Sequence, residues 1–335
     1  MPSIRLLVRA VGAVAVALAA VTALAGCAGP VAPAELSGDV YVHDPAFVQG
    51  SGSDPSFIYS TGNGQIADGD IQIRRSEDGA AWEYAGEVWD HKPEWLTEAV
   101  PGVDNLWAPE LYEHDGTWYL YYTASTFGSN ASVIGLATNT TLDPDDPDYE
   151  WVDRGQVIAS AGTDFNAIDP AIVEDTDGTP WMAFGSFWSG LRMVELSWPS
   201  GLRADDATPL TIADRGTIEN AIEAPTIVRH DDAYYLFASR GLCCRGVDST
   251  YEIIVGRSDS VTGPYVDADG TSLLDDGGTL LLTTDGDRIG PGGQSVSGDT
   301  LAFHYYDGTA DGMFRLGLLP ISWSDGWPRV AWPQD

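Results

Sequence analysis

The chain has 335 residues, with 50 acidic against 16 basic side chains and a formal net charge of −34 at neutral pH. A surface this acidic repels nucleic acid and anionic lipid headgroups, and no cluster of Lys or Arg offsets it. An uncharged ligand suits it better, although part of the acidity serves solubility.

Taken in chain order, the first element is an export signal. Arg5 and Arg9 precede an almost wholly apolar run from Val11 to Leu24, which is short for a membrane span. It ends in Leu24-Ala25-Gly26-Cys27, similar to the bacterial lipobox, so residues 1–27 read as a lipoprotein signal with Cys27 as the lipidated residue. An ordinary signal peptide with a stray cysteine is the plainer alternative. Residues 28–38, with Pro and Ala and no apolar period, read as a flexible tether. Residues 39–335 then form one large domain, since no linker interrupts them.

That domain lacks long amphipathic patterns. Short runs of Tyr, Phe, Trp, Val and Ile alternate with Asp-Gly, Gly-Asn and Asp-Asp turns, which predicts an all-β fold. Five segments share one plan: His43-Asp44-Pro45, Trp107-Ala108-Pro109, Ile168-Asp169-Pro170, Ile222-Glu223-Ala224-Pro225 and Ile289-Gly290-Pro291-Gly292. Each opens a short strand, a polar turn and an aromatic second strand, such as Trp118-Tyr119-Leu120-Tyr121-Tyr122 or Tyr234-Tyr235-Leu236-Phe237. Starts about 54 to 67 residues apart suit four-stranded blades, so five repeats predict a five-bladed β-propeller. A double β-sandwich would not produce five similar hairpins.

A proline at a strand's first position costs no ladder bond, so the residue beside it sits at a strand mouth. Those residues are Asp44, Ala108, Asp169, Glu223 and Gly290. Three acids converging on one pocket cannot all ionise freely, and the resulting split between protonated and ionised carboxyls is what glycosidic cleavage needs. A calcium site built from the same acids is the competing reading. Trp107, Phe127, Phe187 and Trp188 lie in or just after strands beside the acids, where aromatic faces can stack on sugars. Core filling accounts for most of the other tryptophans. The adjacent Cys243 and Cys244 are expected as two free, packed thiols, because neighbouring cysteines join only in a strained ring. No Cys/His cluster has zinc spacing.

These residues resemble the arabinanases of glycoside hydrolase family 43. The likeness runs from His43 to Trp327-Pro328 through Leu106-Trp107-Ala108-Pro109-Glu110, Asn166-Ala167-Ile168-Asp169-Pro170, Phe184-Gly185-Ser186-Phe187-Trp188 and Ser249-Thr250-Tyr251. The resemblance implies an inverting hydrolase of α-1,5-linked arabinan or arabino-oligosaccharides, acting endo. An exo-acting arabinofuranosidase or xylosidase and a non-catalytic sugar-binding propeller are the alternatives. It further implies Asp44 as general base, Glu223 as general acid and Asp169 as the residue that orients substrate and holds up the acid's pKa. Asn166, Ala167, Ile168, Ser186, Phe187 and Trp188 are implied as substrate contacts. His304 is implied to hold a calcium ion through water. One departure stands out: relatives often carry a histidine after the Gly-Pro-Gly turn, where this chain has Gly293. A monomer is expected, outside the cytoplasm, touching the membrane only through its lipid and needing no organic cofactor.

Overall fold

A computed structural model describes residues 35–333, so the signal segment, Cys27 and most of the tether lie outside the described residues. The first sheet holds β1 (Ser37–Gly38), β2 (Ala46–Val48), β3 (Ser56–Ser60), β4 (Gln72–Ser76) and β5 (Ala81–Glu87), in the order β1-β5-β4-β3-β2. After a short helix, α1 (Trp95–Ala99), the second comprises β6 (Leu106–His114), β7 (Thr117–Ala124), β8 (Val133–Asn139) and β9 (Val152–Ala159). The third comprises β10 (Ala171–Glu174), β11 (Pro180–Phe184), β12 (Leu191–Ser197) and β13 (Leu202–Arg203), with β14 (Leu210–Ala213) also paired to β12. The fourth comprises β15 (Ile222–His230), β16 (Ala233–Arg240), β17 (Glu252–Ser258) and β18 (Thr279–Leu282). The fifth comprises β19 (Arg288–Ser297), β20 (Thr300–Asp307) and β21 (Met313–Pro320), and a hairpin of β22 (Ser322–Ser324) and β23 (Trp327–Arg329) follows.

The first full strand of each sheet faces the middle. Strands β2, β6, β10, β15 and β19 touch in turn, and β19 touches β2 again, which closes a five-bladed propeller. The expected all-β fold is the one observed. One boundary shifts: Ser37 and Gly38, expected in the tether, pair in parallel with Ala81 and Trp82 of β5, so the folded domain begins before residue 39.

Alternation along the second strands explains their aromatic content. Successive side chains of a strand point to opposite faces, and here each face meets a neighbouring blade. Tyr119 and Tyr121 enter the cluster with Met182 and Phe184 of the third blade, whereas Leu120 and Tyr122 join Tyr59 and Ile73 of the first. In the fourth blade Tyr234 and Leu236 turn to one side, Tyr235 and Phe237 to the other. Burying one such side chain stabilises by roughly 1.5–3 kcal/mol, so blade-to-blade packing is the main source of stability. The buried hydroxyls still find acceptors: Tyr121 donates to the Gly201 carbonyl at 2.8 Å and Tyr235 to that of Gly326 at 2.7 Å.

The ring is sealed at the first residues of the domain. The Leu316 N–H of β21 donates to the Val40 carbonyl at 2.9 Å, adding the N-terminal segment to the fifth blade before the chain starts the first. Arg74, wholly buried, clamps that segment from β4. Its guanidinium reaches the Tyr41 carbonyl at 2.7 Å, Asp39 Oδ1 at 3.2 Å, and Ser60 Oγ and Gln72 Oε1 at 3.1 Å. A buried charge is tolerated only when so fully paired. Arg74→Met should therefore cost about 1–3 kcal/mol. Urea unfolding should show it as a lower midpoint with unchanged slope; an unaltered midpoint would mean that the clamp does not hold the closure.

Candidate active site

Each blade's first strand begins at one mouth of the channel and its second strand returns there, so loops joining second to third strands gather on that face. These are residues 61–71, 125–132, 185–190 and 241–251. At the mouth itself one residue per blade takes a left-handed backbone: Asp44 (φ 51°), Ala108 (38°), Asp169 (58°), Ala224 (50°) and Gly293 (59°). All five line the channel. Four of them are not glycine, and such strain in non-glycine residues persists only where the surroundings enforce it, commonly at functional sites.

This equivalence corrects the expected register twice. Glu223 is not the repeat partner of Asp44 and Asp169; Ala224, beside Pro225, is, and Glu223 stands one residue earlier on β15. Gly293 rather than Gly290 is the fifth-blade equivalent, because two irregularities in the β19–β20 ladder displace the pattern after Ile289. The three acids nonetheless meet. The Ala224 N–H donates to Asp169 Oδ2 at 3.0 Å, which joins the third and fourth blades at the mouth.

Asp44 is held by His304, which the sequence pointed to in another role, and by two neighbours it did not single out, His43 and Thr61. Its Oδ2 accepts from Thr61 Oγ1 at 2.6 Å and pairs with His43 Nδ1 at 2.7 Å, and its N–H donates to His304 Nδ1 at 3.1 Å. Thr61 is itself fixed by the Ala108 N–H at 2.9 Å. Burial alone would raise the Asp44 carboxyl; His43, then His304 and Thr61, outweigh it and hold the group well below the usual carboxylate range.

Glu223 is 7 % exposed and receives Ser186 Oγ at 2.5 Å on Oε2 and the Tyr251 hydroxyl on Oε1. Burial drives its pKa up against these two hydrogen bonds, with the Asp44 charge adding to the rise. Asp169 is pushed well up by burial, then by the charges of Glu223 and Asp44, against the Ala224 N–H. One cluster thus contains a carboxyl that favours its anion and two that favour their protons.

The remaining expected residues divide. Ser186 and Glu223 form a β-bridge, and the Phe187 N–H donates to the Ile222 carbonyl at 3.1 Å, so the 185–190 loop is built onto the acid's strand. Phe187 (φ 52°) and Trp188 (φ 38°) are both left-handed, and Trp188 is exposed. Phe127, 82 % exposed, stands on the 125–132 loop, and Trp107 is half-buried beside Ala108. Asn166 is buried and its Oδ1 accepts from Ser132 Oγ at 2.7 Å. Ala167 is 0 % exposed within the core and Ile168 is buried, so Ala167, expected as a contact, has no surface to offer a sugar. The expected free thiols are corrected too: Cys243 and Cys244 are joined in a disulfide. His43, Thr61, Tyr251 and Tyr306 were missed as site residues. His43 and Tyr251 stood inside quoted motifs, and Tyr306 shares a face of β20 with His304 through the two-residue period.

The residues present do not fit the calcium expected at His304. That ring is wholly buried, kept neutral by burial and then by His43. A neutral imidazole has one acceptor nitrogen, and Nδ1 is occupied by the Asp44 N–H, while Nε2 lies 3.5 Å from the Tyr306 hydroxyl. No lone pair is left for an ion or its water. His43, Asp44 and His304 bring one ligand atom each within 4.8 Å, yet those atoms bond to one another, and two imidazoles with one carboxylate are not the oxygen-rich set calcium takes.

Residues 41–328 match the model of glycosyl hydrolases family 43. The extracellular exo-α-(1→5)-L-arabinofuranosidase ArbA of Cellvibrio japonicus is 40 % identical over 310 residues, covering 87 % of this chain and 86 % of that one. Extracellular endo-α-(1→5)-L-arabinanase 1 of Bacillus subtilis is 38 % identical over 290 residues, covering 86 % and 87 %. The solved family 43 endo-arabinanase from Bacillus licheniformis superposes with a TM-score of 0.82 at 37 % identity, over 88 % of this chain and 99 % of that one. With the propeller, its ring of carboxyls and these relatives in agreement, the chain belongs to glycoside hydrolase family 43.

Proposed function

We propose that the protein is an extracellular, inverting α-1,5-L-arabinanase that cuts within arabinan, with Asp44 as general base and Glu223 as general acid. The observation that carries this reading is the gathering of three carboxyls at one channel mouth with unlike partners, Asp44 beside His43 and Thr61 and Glu223 beside two hydroxyls. Asp44, its Oδ2 already holding two partners, has Oδ1 to take the proton of an attacking water. Glu223 keeps a proton for the leaving oxygen, and both of its partners are hydroxyls that can turn from donor to acceptor when it does. Asp169, which itself favours its proton, orients the substrate at the mouth, and Trp107, Phe127, Asn166, Ser186, Phe187 and Trp188 form the sugar-binding surface. The −34 charge is compatible with arabinan because that polymer is uncharged. The relatives named extracellular support export, and Cys27 would then carry a lipid anchor; Cys27→Ala should shift the enzyme from the membrane fraction to the medium, and unchanged fractionation would refute the anchor.

Glu223→Gln should lower turnover of arabinan by about 100-fold to 10,000-fold. A substrate with a good leaving group should restore part of it, because less protonation is needed. The first product should carry the inverted anomeric configuration by proton NMR, since water attacks opposite the leaving group. The pH profile of kcat/KM follows from the signs: a depressed Asp44 stays ionised below the usual carboxylate range, so the acid limb lies low. The alkaline limb falls where Glu223 loses its proton, above the usual carboxylate range. Ser186→Ala removes a hydrogen bond that lowers the Glu223 pKa and should move that limb to higher pH. Retention of configuration, or an unmoved limb, would contradict the assignment.

One observation favours a second reading: the 40 %-identical relative is named an exo-acting arabinofuranosidase. The two modes separate on linear arabinan. Endo attack should drop viscosity early and release short oligosaccharides before free arabinose. Arabinose as the sole early product, with viscosity barely changed, would assign exo action.

A further inference from the structure

The 241–251 loop is linked to both reacting carboxyls. Its last residue, Tyr251, donates to Glu223, and its middle, the Cys243–Cys244 disulfide, reaches the other acid through two side chains. The Cys244 N–H donates to the Tyr306 hydroxyl at 2.7 Å, that hydroxyl lies 3.0 Å from His43 Nε2, and His43 Nδ1 lies 2.7 Å from Asp44 Oδ2. Cys244 Sγ stands 4.0 Å from the same His43 nitrogen.

With His43 neutral, one order of donors satisfies every group in this chain. His304 accepts the Asp44 N–H on Nδ1, so its proton sits on Nε2 and points at the Tyr306 oxygen. That oxygen also accepts the Cys244 N–H. With its lone pairs so engaged, Tyr306 directs its own proton to His43 Nε2. His43 must then carry its proton on Nδ1, facing Asp44. The opposite tautomer would set a lone pair against the carboxylate.

The loop is equipped to hold that N–H in place. Cys244 has a left-handed backbone (φ 64°), and the small ring closed by the disulfide restrains the turn. Around it the Thr250 N–H donates to the Leu242 carbonyl at 2.9 Å, the Leu242 N–H to Thr250 Oγ1 at 3.1 Å and the Arg245 N–H to Ser249 Oγ at 3.1 Å.

We propose that Tyr306 and the Cys243–Cys244 turn are positioning residues for the reaction: the Cys244 N–H orients the Tyr306 hydroxyl, which fixes His43 in the tautomer that donates to Asp44. This rests on the reading of Asp44 as the base. None of these residues needs to touch substrate, so the effect should fall on turnover rather than binding.

The test uses the whole protein labelled with nitrogen-15 at its 5 histidines, with long-range nitrogen–proton spectra reporting the tautomer of His43. Native protein should show His43 protonated on Nδ1. Tyr306→Phe should populate the other tautomer and lower kcat by about tenfold or more, with KM and melting temperature nearly unchanged, as loss of an outer partner of a functional histidine commonly does. The double variant Cys243→Ala/Cys244→Ala, which keeps the backbone N–H but frees the turn, should move both readouts the same way and less far. A fall in kcat with the tautomer unchanged would reduce Tyr306 to a structural role and overturn the proposal, as would a changed tautomer at full activity. Failure of the base assignment would look different: Asp44→Asn would stay active while the native His43 tautomer remained as stated.

Discussion

Five left-handed residues at the channel mouth set the geometry on which the rest depends. A strand that began in ordinary extended conformation would carry its first side chain along the blade. The turn to positive φ at Asp44 and Asp169 instead delivers carboxyls to the channel while each strand stays in its sheet. Aspartate is among the few residues that accept this backbone at modest cost, alanine less readily and glycine freely. The fifth blade shows how tight the fit is. A Cβ on Gly293 would lie 2.3 Å from Asp44 Oδ1 and 2.7 Å from His304, so any side chain there would displace the base and its neighbour. His304 and Asp44 pack here against bare backbone.

Bringing three acids together creates the electrostatic problem that the site then uses. Burial raises all three carboxyls, and repulsion from neighbouring acids raises Asp169 and Glu223 further. Only Asp44 has two imidazoles beside it, stacked with ring centroids 3.6 Å apart, and only Asp44 moves downward. Glu223 and Asp169 are given hydroxyls and one backbone N–H, which are too little to reverse the effect of burial. The partition into one lowered and two raised carboxyls is therefore a property of the second row of residues, His43, His304, Thr61, Ser186 and Tyr251, more than of the carboxylates themselves.

This explains what the sequence disclosed and what it hid. Repeat spacing and the two-residue alternation of strands such as Tyr119-Leu120-Tyr121-Tyr122 are local signals, and both survive intact in the five-bladed fold. The acids were visible because three short motifs carry them beside prolines. Their register was misread because Glu223 lies on a bulged start of β15, and strict alignment on Pro225 points to Ala224 instead. The contacts around Asp44 were hidden for a different reason: Thr61 approaches from the loop after β3, and His304 and Tyr306 come from the last blade through ring closure that no local pattern encodes. The disulfide, expected absent on grounds of local geometry, likewise depends on a loop whose ends are tied by Leu242 and Thr250.

The same division bears on mode of attack. Relatives named for exo and for endo action are similarly close to this chain, 40 % and 38 % identical over like spans. Overall relatedness therefore does not choose between the two names, and the carboxyl cluster serves a bond at a chain end or within a chain alike. What differs must lie in the rim, where loops 61–71, 125–132 and 185–190 surround the mouth and where exposed Phe127 and Trp188 stand on separate blades. Aromatic faces on two blades offer stacking on more than one sugar, and binding spread over flanking units helps hold the central linkage against the acids. Under the proposed endo reading, Phe127, 82 % exposed on one loop of the rim, is where a polymer lying across the mouth would stack.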